Sequence, residues 1–541
     1  MRMLQNGSCI FERSGAMDGH GRKPIAPDSD CVSVDWPPGS APRTAQTTAL
    51  SMAPCLVTST PHRSHTGIRL GARFLSSSLL LILTGVCILA SSQLASAERL
   101  NVLFIISDDL RCTLGCYGVS AVKSPNIDRL AARGVRFDRA YCQYPVCNPS
   151  RSSFLTGLRC EQTGVTNNKT FFRDRLPDAV TMPQLLRQQG WVTRSYGKII
   201  HVVGGPGDID RKLDVGKSWD EAAMFQATPE GRKGDTRNLT GGKLKWCVVG
   251  QMEGGDDDQP DGQNALHVIK SIEELHAAGK PWFLGAGFHK PHDPFLAPKK
   301  YFELYPPASL KLYRDPADMT PGAPLSIPGG EFAKAFNAFT DEDRIAFQQA
   351  YYAGTSFTDA QVGRLLDTLD RLKLWDRTIV IMMGDNGYHH NERGWWNKDT
   401  LFERSCRIPL VIWAPGAKGG QVCTSLVELV DLYPTVADYC GVQPPAGLAG
   451  QSLRPLLEDP SRPGKKQAYT LVTRGVKYGQ TVRTDRWRCT LWSDEAVELY
   501  DEQSDPEETH NLAGSEQHAE TVKELTALLR ALPKPELEKP K

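Results

Sequence analysis

Four mostly apolar runs constrain the fold of this chain more than any other feature of its sequence. They cover residues 101–107 (NVLFIIS), 191–196 (WVTRSY), 282–288 (WFLGAGF) and 378–384 (TIVIMMG). Such runs are typical of strands that are covered on both faces of a parallel sheet. Helical patterns lie between them, at residues 125–132, 181–189, 264–277 and 355–372. Strands that alternate with helices predict an α/β fold with a doubly wound sheet.

Each run leads into polar residues, and ligands of such a sheet bind beyond the carboxyl ends of its strands. The polar residues that follow the four runs are Asp108 and Asp109, Lys198 and His201, His289, and Asp385 and Asn386. A single acidic pair after a strand is more often a helix cap or a solvated loop. Four polar clusters at equivalent places favour one common site.

The residue types at these positions indicate the chemistry of the predicted site. Asp108, Asp109, Asp385 and Asn386 offer only oxygen ligands, which suit calcium or magnesium and disfavour zinc. Basic side chains that could surround an anionic group are Arg151, Lys198, His201, His289 and Lys398. A hard dication with several basic groups predicts a site for a sulfate or phosphate ester.

Residues 145–157 (PVCNPSRSSFLTG) form the most informative segment. Pro149 fits the first turn of a helix, which puts Cys147 at a helix N-terminus, where backbone N–H groups favour anions. Arg151 lies within the same turn region. From the residues alone, Cys147 is either a thiolate nucleophile or a buried side chain.

This segment resembles the signature of the type I sulfatases, in which the cysteine is oxidised to formylglycine after synthesis. The resemblance rests on Cys147-x-Pro149-Ser150-Arg151 followed by Leu155-Thr156-Gly157, and it extends over most of the chain from Asn101 to Leu512. Within the family, the chain looks most like the iduronate-2-sulfatases, through residues 108–111, 114–118, 197–201 and 289–295. The resemblance implies an alkaline-phosphatase-like sheet.

The resemblance also implies roles for individual residues. It places a metal, usually calcium, on Asp108, Asp109, Asp385 and Asn386, with the modified Cys147 completing the shell. It assigns Arg151 and Lys198 to the formylglycine hydrate, His201 to a proton on the second hydroxyl of that hydrate, and His289 and Lys398 to the sulfate and the leaving oxygen. The hydrate would expel sulfate by reforming the aldehyde, which replaces a second attack at sulfur. Residues 199–200 and Arg393 depart from the subfamily pattern, and we expect these differences to affect the substrate pocket.

The predicted activity is the release of inorganic sulfate from a sulfated carbohydrate, with a formylglycine-generating or other sulfatase-modifying enzyme as the partner in maturation. A phosphatase or phosphonate monoester hydrolase of the same superfamily is the nearest alternative. A non-catalytic protein that binds sulfated glycans is an alternative of a different class. The formal net charge of +1 argues against a nucleic-acid partner.

The N-terminal region predicts export. Residues 79–90 are apolar but too short for a comfortable membrane span, and Ala95-Ser96-Ala97 offers a signal-peptidase site. We therefore predict an export signal at 71–97, a mature start at Glu98, and no stable membrane span; a retained anchor helix is the alternative. Residues 1–70 show no periodicity and are assigned no fold, and Met17 or Met52 is an alternative start.

The sequence also predicts the division into domains and the state of the cysteines. We predict a catalytic domain at 98–465 and a smaller C-terminal α+β subdomain at 466–541, which consists of an antiparallel sheet and a helix over 516–532. Of the 14 cysteines, ten follow the predicted cleavage site, and export permits disulfides. Cys423 and Cys440 flank a helical pattern and could pair. The acidic run 256–258 is interpreted as a solvated insertion.

Overall fold

The computed structural model describes residues 99–204 and 208–537. The predicted extension at 1–70, the predicted export signal at 71–97 and its cleavage site lie outside the described residues. Among the helices that are described, none has both the length and the apolar character needed to cross a membrane.

Fifteen strands form three sheets in the described part of the chain. The strands are β1 (Asn101–Ser107), β2 (Val135–Tyr141), β3 (Val192–Gly197), β4 (Glu221–Ala223), β5 (Gly234–Asn238), β6 (Val248–Met252), β7 (Trp282–Phe288), β8 (Phe295–Pro298), β9 (Thr378–Gly384), β10 (Arg407–Trp413), β11 (Gln421–Glu428), β12 (Ala468–Arg474), β13 (Lys477–Arg483), β14 (Trp487–Trp492) and β15 (Val497–Asp501). The largest sheet has the order β11-β2-β10-β9-β1-β7-β3-β4. Within it, β1 runs parallel to β7 and β9, whereas β10 runs antiparallel to β9 and β2.

The α-helices of the described residues surround this sheet. They are α1 (Pro125–Arg133), α2 (Cys147–Thr156), α3 (Cys160–Thr163), α4 (Phe172–Arg175), α5 (Met182–Gln188), α6 (Ile209–Lys212), α7 (Pro260–Ala277), α8 (Lys299–Phe302), α9 (Gly330–Asn337), α10 (Asp341–Leu372), α11 (Glu403–Cys406), α12 (Leu432–Tyr439), α13 (Arg454–Glu458) and α14 (Ala519–Arg530). Helix α10 begins well before the predicted start at residue 355, because the Thr340 hydroxyl accepts the Asp343 N–H and forms a capping box.

Both faces of the large sheet are covered, as alternate side chains of β1 show. Phe104 and Ile106 belong to an apolar cluster that includes residues of α2 and α12. Leu103 and Ile105 belong to a second cluster, which includes residues of α1, α7 and α10. Because both faces of this strand are buried, successive side chains are all apolar instead of alternating between apolar and polar, which explains the continuous apolar run. The predicted doubly wound α/β fold is confirmed.

A four-stranded antiparallel sheet, β12-β13-β14-β15, forms the C-terminal subdomain together with α14. Leu525 and Leu529 of α14 are buried with Val482, Cys489 and Leu499 of the sheet. The predicted helix over 516–532 is thus observed, although its first three residues form a 3-10 turn. The predicted antiparallel sheet is present, and its strand β13 has a polar sequence, KYGQTVR, that gives no clear strand signal. The boundary at residues 465 and 466 remains a prediction.

The structure corrects the disulfide that the sequence suggested. Cys423 and Cys440 are both free cysteines. Cys423 lies within β11, where its register partner is Phe137 of β2, and Cys440 follows the last residue of α12. Both side chains therefore serve as apolar packing groups in the same cluster.

Candidate active site

Two neighbouring strands bring the acidic residues of the candidate site together. β1 and β9 are paired in register up to Ser107 and Gly384, so the residues that follow them emerge side by side. The Asp109 N–H donates to Asp385 Oδ1 at 3.0 Å, and Asn386 Nδ2 donates to Asp109 Oδ1 at 2.8 Å. Asp109 has a φ of +62°, a left-handed conformation that is uncommon outside glycine. This turn directs the chain away from the strand at the point where the carboxylates gather.

Cys147 is the first residue of α2 and is completely buried. Its Sγ lies 3.8 Å from Asp109 Oδ1 and 3.0 Å from Lys398 Nζ. The Ser150 hydroxyl donates to the Asp385 carbonyl at 2.6 Å and holds the first turn of α2 against β9. The predicted helix N-terminus is therefore observed, and it points Cys147 into the acidic cluster.

Three cations pair with the three carboxylates. Arg151 Nε contacts Asp385 Oδ2 at 2.8 Å, and its Nη2 contacts Asp108 Oδ1 at 3.2 Å. Lys198 Nζ pairs with Asp108, and Lys398 Nζ pairs with Asp109. These pairs, together with the neighbouring His292, hold Asp108 ionised: burial alone would raise its pKa, but the cations lower that pKa well below the ordinary value. We call these three carboxylates and three cations the site cluster.

Two glycines allow Lys198 to reach the site. The Lys198 N–H donates to the Gly287 carbonyl at 2.9 Å, so the backbone of β7 passes directly beside that of Lys198. A Cβ built on Gly287 would lie 2.4 Å from the carbonyl carbon of Lys198. Gly197 has a φ of +82°, and its Cβ would lie 2.1 Å from the Gly287 carbonyl oxygen. Any larger residue at either position would push these backbones apart.

The three histidines of the site differ in their surroundings. His201 is buried, and burial followed by the charge of Lys198 lowers its pKa well below the ordinary value, so its ring is neutral. His289 lies at the rim, where its Nδ1 is 3.2 Å from Asp261 Oδ1 and 28% of its side chain is exposed. His292 is buried, with Nε2 3.8 Å from Asp109 Oδ2 and 3.9 Å from Asp108 Oδ2.

His292 and Asp261 are site residues to which the sequence assigned no role. His292 lies in the HKPH segment after β7, and its position at the end of a buried strand is the signal that could have identified it. Asp261, at the start of α7, accepts the backbone N–H groups of His289 and Lys290 at 2.8 and 2.9 Å, and it orients the His289 ring. Nothing in the sequence pattern links Asp261 to His289, because 28 residues separate them.

The described residues include a group that fits a divalent cation. One ligand atom from each of Asp108, Asp109, Cys147 and His292 lies within 4.8 Å of the others, and all four residues are buried. Asp109 Oδ2 and Asn386 Oδ1 are buried without a hydrogen-bond donor. Such orphaned oxygens are costly unless a cation or another donor satisfies them. The oxygens of Asp108, Asp109 and Asn386 suit a hard cation, whereas the Cys147 thiol and the His292 ring of the group are softer donors.

The two departures from the subfamily pattern have packing roles in the structure. Residues 199–200 are buried in the apolar cluster on one face of the large sheet. The Arg393 guanidinium stacks 4.3 Å from the Phe402 ring and donates to the Glu508 carbonyl. The acidic run at 256–258 is partnered by protein side chains: Lys300 pairs with its first residue and Arg364 with its second.

The chain belongs to the sulfatase family. The model of that family, described as "Sulfatase", matches residues 100–442, and a second model, "N-sulphoglucosamine sulphohydrolase, C-terminal", matches residues 391–534. Sulfatases of this kind hydrolyse sulfate esters, and they generally use a divalent metal and formylglycine. The resemblance seen in the sequence is thereby confirmed.

Among individual proteins, the chain is similar to iduronate 2-sulfatase of Homo sapiens. The two are 31% identical over 531 residues, which cover 81% of this chain and 96% of that protein. A solved structure titled as a complex with D-glucosamine-2-N,6-O-disulfate shares the fold, with a TM-score of 0.63, 23% identity, and coverage of 80% of this chain and 97% of that one. So does the phosphonate monoester hydrolase of Agrobacterium radiobacter, with a TM-score of 0.66, 22% identity, and coverage of 80% and 95%.

Proposed function

We propose that this protein releases inorganic sulfate from a sulfated carbohydrate, in the manner of an iduronate-2-sulfatase, with Cys147 converted to formylglycine. The observation that carries the proposal is the position of Cys147: it begins a buried helix and contacts both Asp109 and Lys398. Burial raises the pKa of the Cys147 thiol well above its ordinary value, so the unmodified thiol is a poor nucleophile. The aldehyde hydrate would supply one hydroxyl as the nucleophile that takes the sulfate. Loss of the proton from its second hydroxyl would then reform the aldehyde and break the C–O bond to the sulfate, which leaves.

The basic side chains of the site cluster have distinct tasks in this proposal. Arg151 and Lys198 hold the side chain at position 147 and balance the charge of Asp108 and Asp385, which their contacts with those carboxylates support. His201 has a neutral ring that can take a proton from the second hydroxyl. Asp108, Asp109, Asp385 and Asn386 hold calcium or magnesium, and we add His292 to this group because of its distances from the first two.

We assign Lys398 and His289 to the sulfate and to the leaving oxygen. Two observations support these assignments: Lys398 Nζ lies 3.0 Å from Cys147 Sγ, and the His289 side chain is 28% exposed, so it is accessible to a substrate from the solvent. A sugar alkoxide leaves poorly, so proton donation to it contributes roughly 10²- to 10⁴-fold. Nitrophenolate needs no such help. Replacing either residue by alanine should therefore depress turnover of a sugar sulfate far more than turnover of nitrophenyl sulfate, at saturating substrate.

The second candidate activity is phosphonate or phosphate ester hydrolysis, which the similarity in fold to the phosphonate monoester hydrolase favours. Matched nitrophenyl sulfate, phosphate and phenylphosphonate esters distinguish the two. Faster release of sulfate supports the proposal, and faster release from the phosphorus esters contradicts it. A panel of sulfated oligosaccharides then identifies the sugar and the position of the ester. Binding of sulfated glycans without turnover, by protein in which Cys147 is fully converted, would favour the non-catalytic alternative.

Export and maturation belong to the same proposal. Mass spectrometry of the tryptic peptide that contains Cys147 should show the aldehyde in active preparations, and fully active protein with an intact thiol would contradict the mechanism. N-terminal sequencing of the exported protein should begin at or near Glu98. An intact N-terminal region on the exported protein would contradict the predicted signal.

A further inference from the structure

The hairpin between β12 and β13 belongs to the C-terminal subdomain and contacts two segments of the candidate site. One contains Tyr144, shortly before Cys147, and the other contains Asp399, directly after Lys398. The Thr473 N–H donates to the Tyr144 hydroxyl at 2.9 Å, and the Thr473 hydroxyl lies 3.0 Å from that same oxygen. Tyr144 lies just before Cys147 in the chain. Gly475, with a φ of +62°, makes the tight turn at the tip of the hairpin.

Arg474 of the same hairpin contacts the residue that follows Lys398. Its Nη1 lies 3.0 Å from Asp399 Oδ2, and its Nη2 donates to the Asp399 carbonyl. The Asp399 N–H donates to the Pro145 carbonyl at 3.1 Å, which joins the two catalytic segments to each other. The Arg474 side chain is 12% exposed and that of Asp399 is 34% exposed, so the guanidinium is largely buried whereas the carboxylate is partly exposed.

Asp399 is held in a strained conformation. Its φ is +66°, in the left-handed region that residues other than glycine adopt at a cost. Such a conformation persists only when the surroundings enforce it, and the surroundings here are the Pro145 carbonyl and the fork of Arg474. Because Asp399 follows Lys398 directly, its backbone angles set the direction in which Lys398 leaves the loop.

We propose that Arg474 is a positioning residue: it holds Asp399 in the left-handed conformation and so keeps Lys398 Nζ beside the side chain at position 147. The inference rests on the proposed function, because its consequence is catalytic. It gives the C-terminal subdomain a part in the reaction although no residue of that subdomain belongs to the site cluster. Lysine supplies the charge of the guanidinium but cannot contact both the carboxylate and the carbonyl in the same planar geometry, so it should replace only part of its effect.

A double-mutant cycle tests this inference. Arg474→Ala should lower kcat about 10- to 100-fold, as small misplacements of a reacting group do, with little change in KM. In the Lys398→Ala background the same substitution should cause no further loss, because its effect passes through Lys398. Arg474→Lys should recover part of kcat. Lys477→Ala is the matched control, since it removes an exposed ion pair with Asp494 from the same hairpin and should leave kcat unchanged.

Two kinetic outcomes would overturn the inference. One is a loss of kcat in the double variant equal to the product of the two single losses, and the other is full activity of Arg474→Ala. A crystal structure of Arg474→Ala provides a test that needs no activity: Asp399 should leave the left-handed region, and an unchanged Asp399 and Lys398 would also overturn the inference. If the wild-type protein releases no sulfate, the proposed function fails, and the crystal structure alone decides about Arg474.

Discussion

Two of the buried charge clusters in the described part of the chain look alike in composition and differ in arrangement. The site cluster combines Asp108, Asp109 and Asp385 with Arg151, Lys198 and Lys398. The second group, which we call the junction cluster, combines Glu403, Glu502 and Glu508 with Arg483 and Arg488. Glu403 comes from α11 beside the large sheet, and the other four residues come from the C-terminal subdomain.

The cationic side chains of the two clusters differ in type and in what they contact. Arg488 of the junction cluster is almost fully buried and contacts Glu403, Glu502 at 3.4 Å and Glu508 at 2.6 Å, so one fork joins two parts of the fold. In the site cluster two of the three bases are lysines, and the Nζ of one lies 3.0 Å from the Sγ of Cys147. A lysine carries a compact charge on a flexible side chain, without the fixed planar donor geometry of arginine. Buried charge alone therefore does not mark an active site; its convergence on a reactive atom does.

The largest expected difference between the clusters concerns activity. Cys147→Ala should abolish turnover, by at least about 10⁴-fold, because the proposed function puts the nucleophile at this position. The free energy of unfolding should change little. Cys489→Ala, at a buried cysteine of the C-terminal subdomain, is the control and should keep full turnover while losing about 1 kcal/mol of stability. Initial rates and denaturant titrations measure both, and residual turnover of Cys147→Ala near the wild-type rate would contradict the site.

Arg488→Leu should have the reverse effect. It leaves three buried carboxyl groups with one base fewer, which should cost about 3–5 kcal/mol of unfolding free energy. The kcat per folded molecule should stay at the wild-type value. Arg530→Leu, which breaks an exposed ion pair with Glu495 in the same subdomain, should change neither quantity measurably. A loss of kcat in folded Arg488→Leu protein would show that the junction cluster takes part in catalysis.

A third prediction concerns the pH dependence of a buried ion pair outside both clusters. Arg159 donates to both carboxylate oxygens of Glu428 at 2.8 Å, and Lys465 contacts the same group at 2.6 Å. Burial would raise the pKa of Glu428, but these cations lower it to about 2. The ionised Glu428 therefore stabilises the folded state fully above its ordinary pKa. This contribution, roughly 3 kcal/mol at most, is lost as the pH falls through the lowered pKa of the folded state.

Unfolding free energies of wild type and Glu428→Gln measure this effect. The difference between them should be largest above pH 5 and should shrink as the pH approaches 2. A difference that stays constant over that range would mean that the charge of Glu428 does not stabilise the fold.

The smallest expected effect is the response to a cation. Calcium at about 100 times its dissociation constant should add about 2.7 kcal/mol of stability if it binds the folded site alone. Asp109→Asn should remove most of this increase, whereas Glu508→Gln of the junction cluster should retain it. Chelation should lower sulfate release by the wild type, and calcium or magnesium should restore it. Equal cation responses of the two variants in thermal denaturation would argue against the proposed ligands.

The parts of this structure that were predictable are local. The runs at 101–107, 282–288 and 378–384 became β1, β7 and β9 with the same bounds, because strands buried on both faces carry their signal in every residue. Strand β13 was missed because KYGQTVR has no such signal and is held by pairing with β12 and β14. Helix α10 was predicted too short because its N-terminal half is not apolar along one continuous stripe.

The sequence by itself determined the class of the protein, the α/β fold and the residues whose types suit sulfate ester chemistry, since these depend on composition, periodicity and a short motif. The tertiary structure decided which of those residues meet: it added His292 and Asp261 to the site and brought Arg474 from the C-terminal subdomain to Asp399. The physical reason is distance along the chain. The contact between Arg474 and Asp399 joins positions 75 residues apart, and only the packing of the subdomain against the large sheet brings them together.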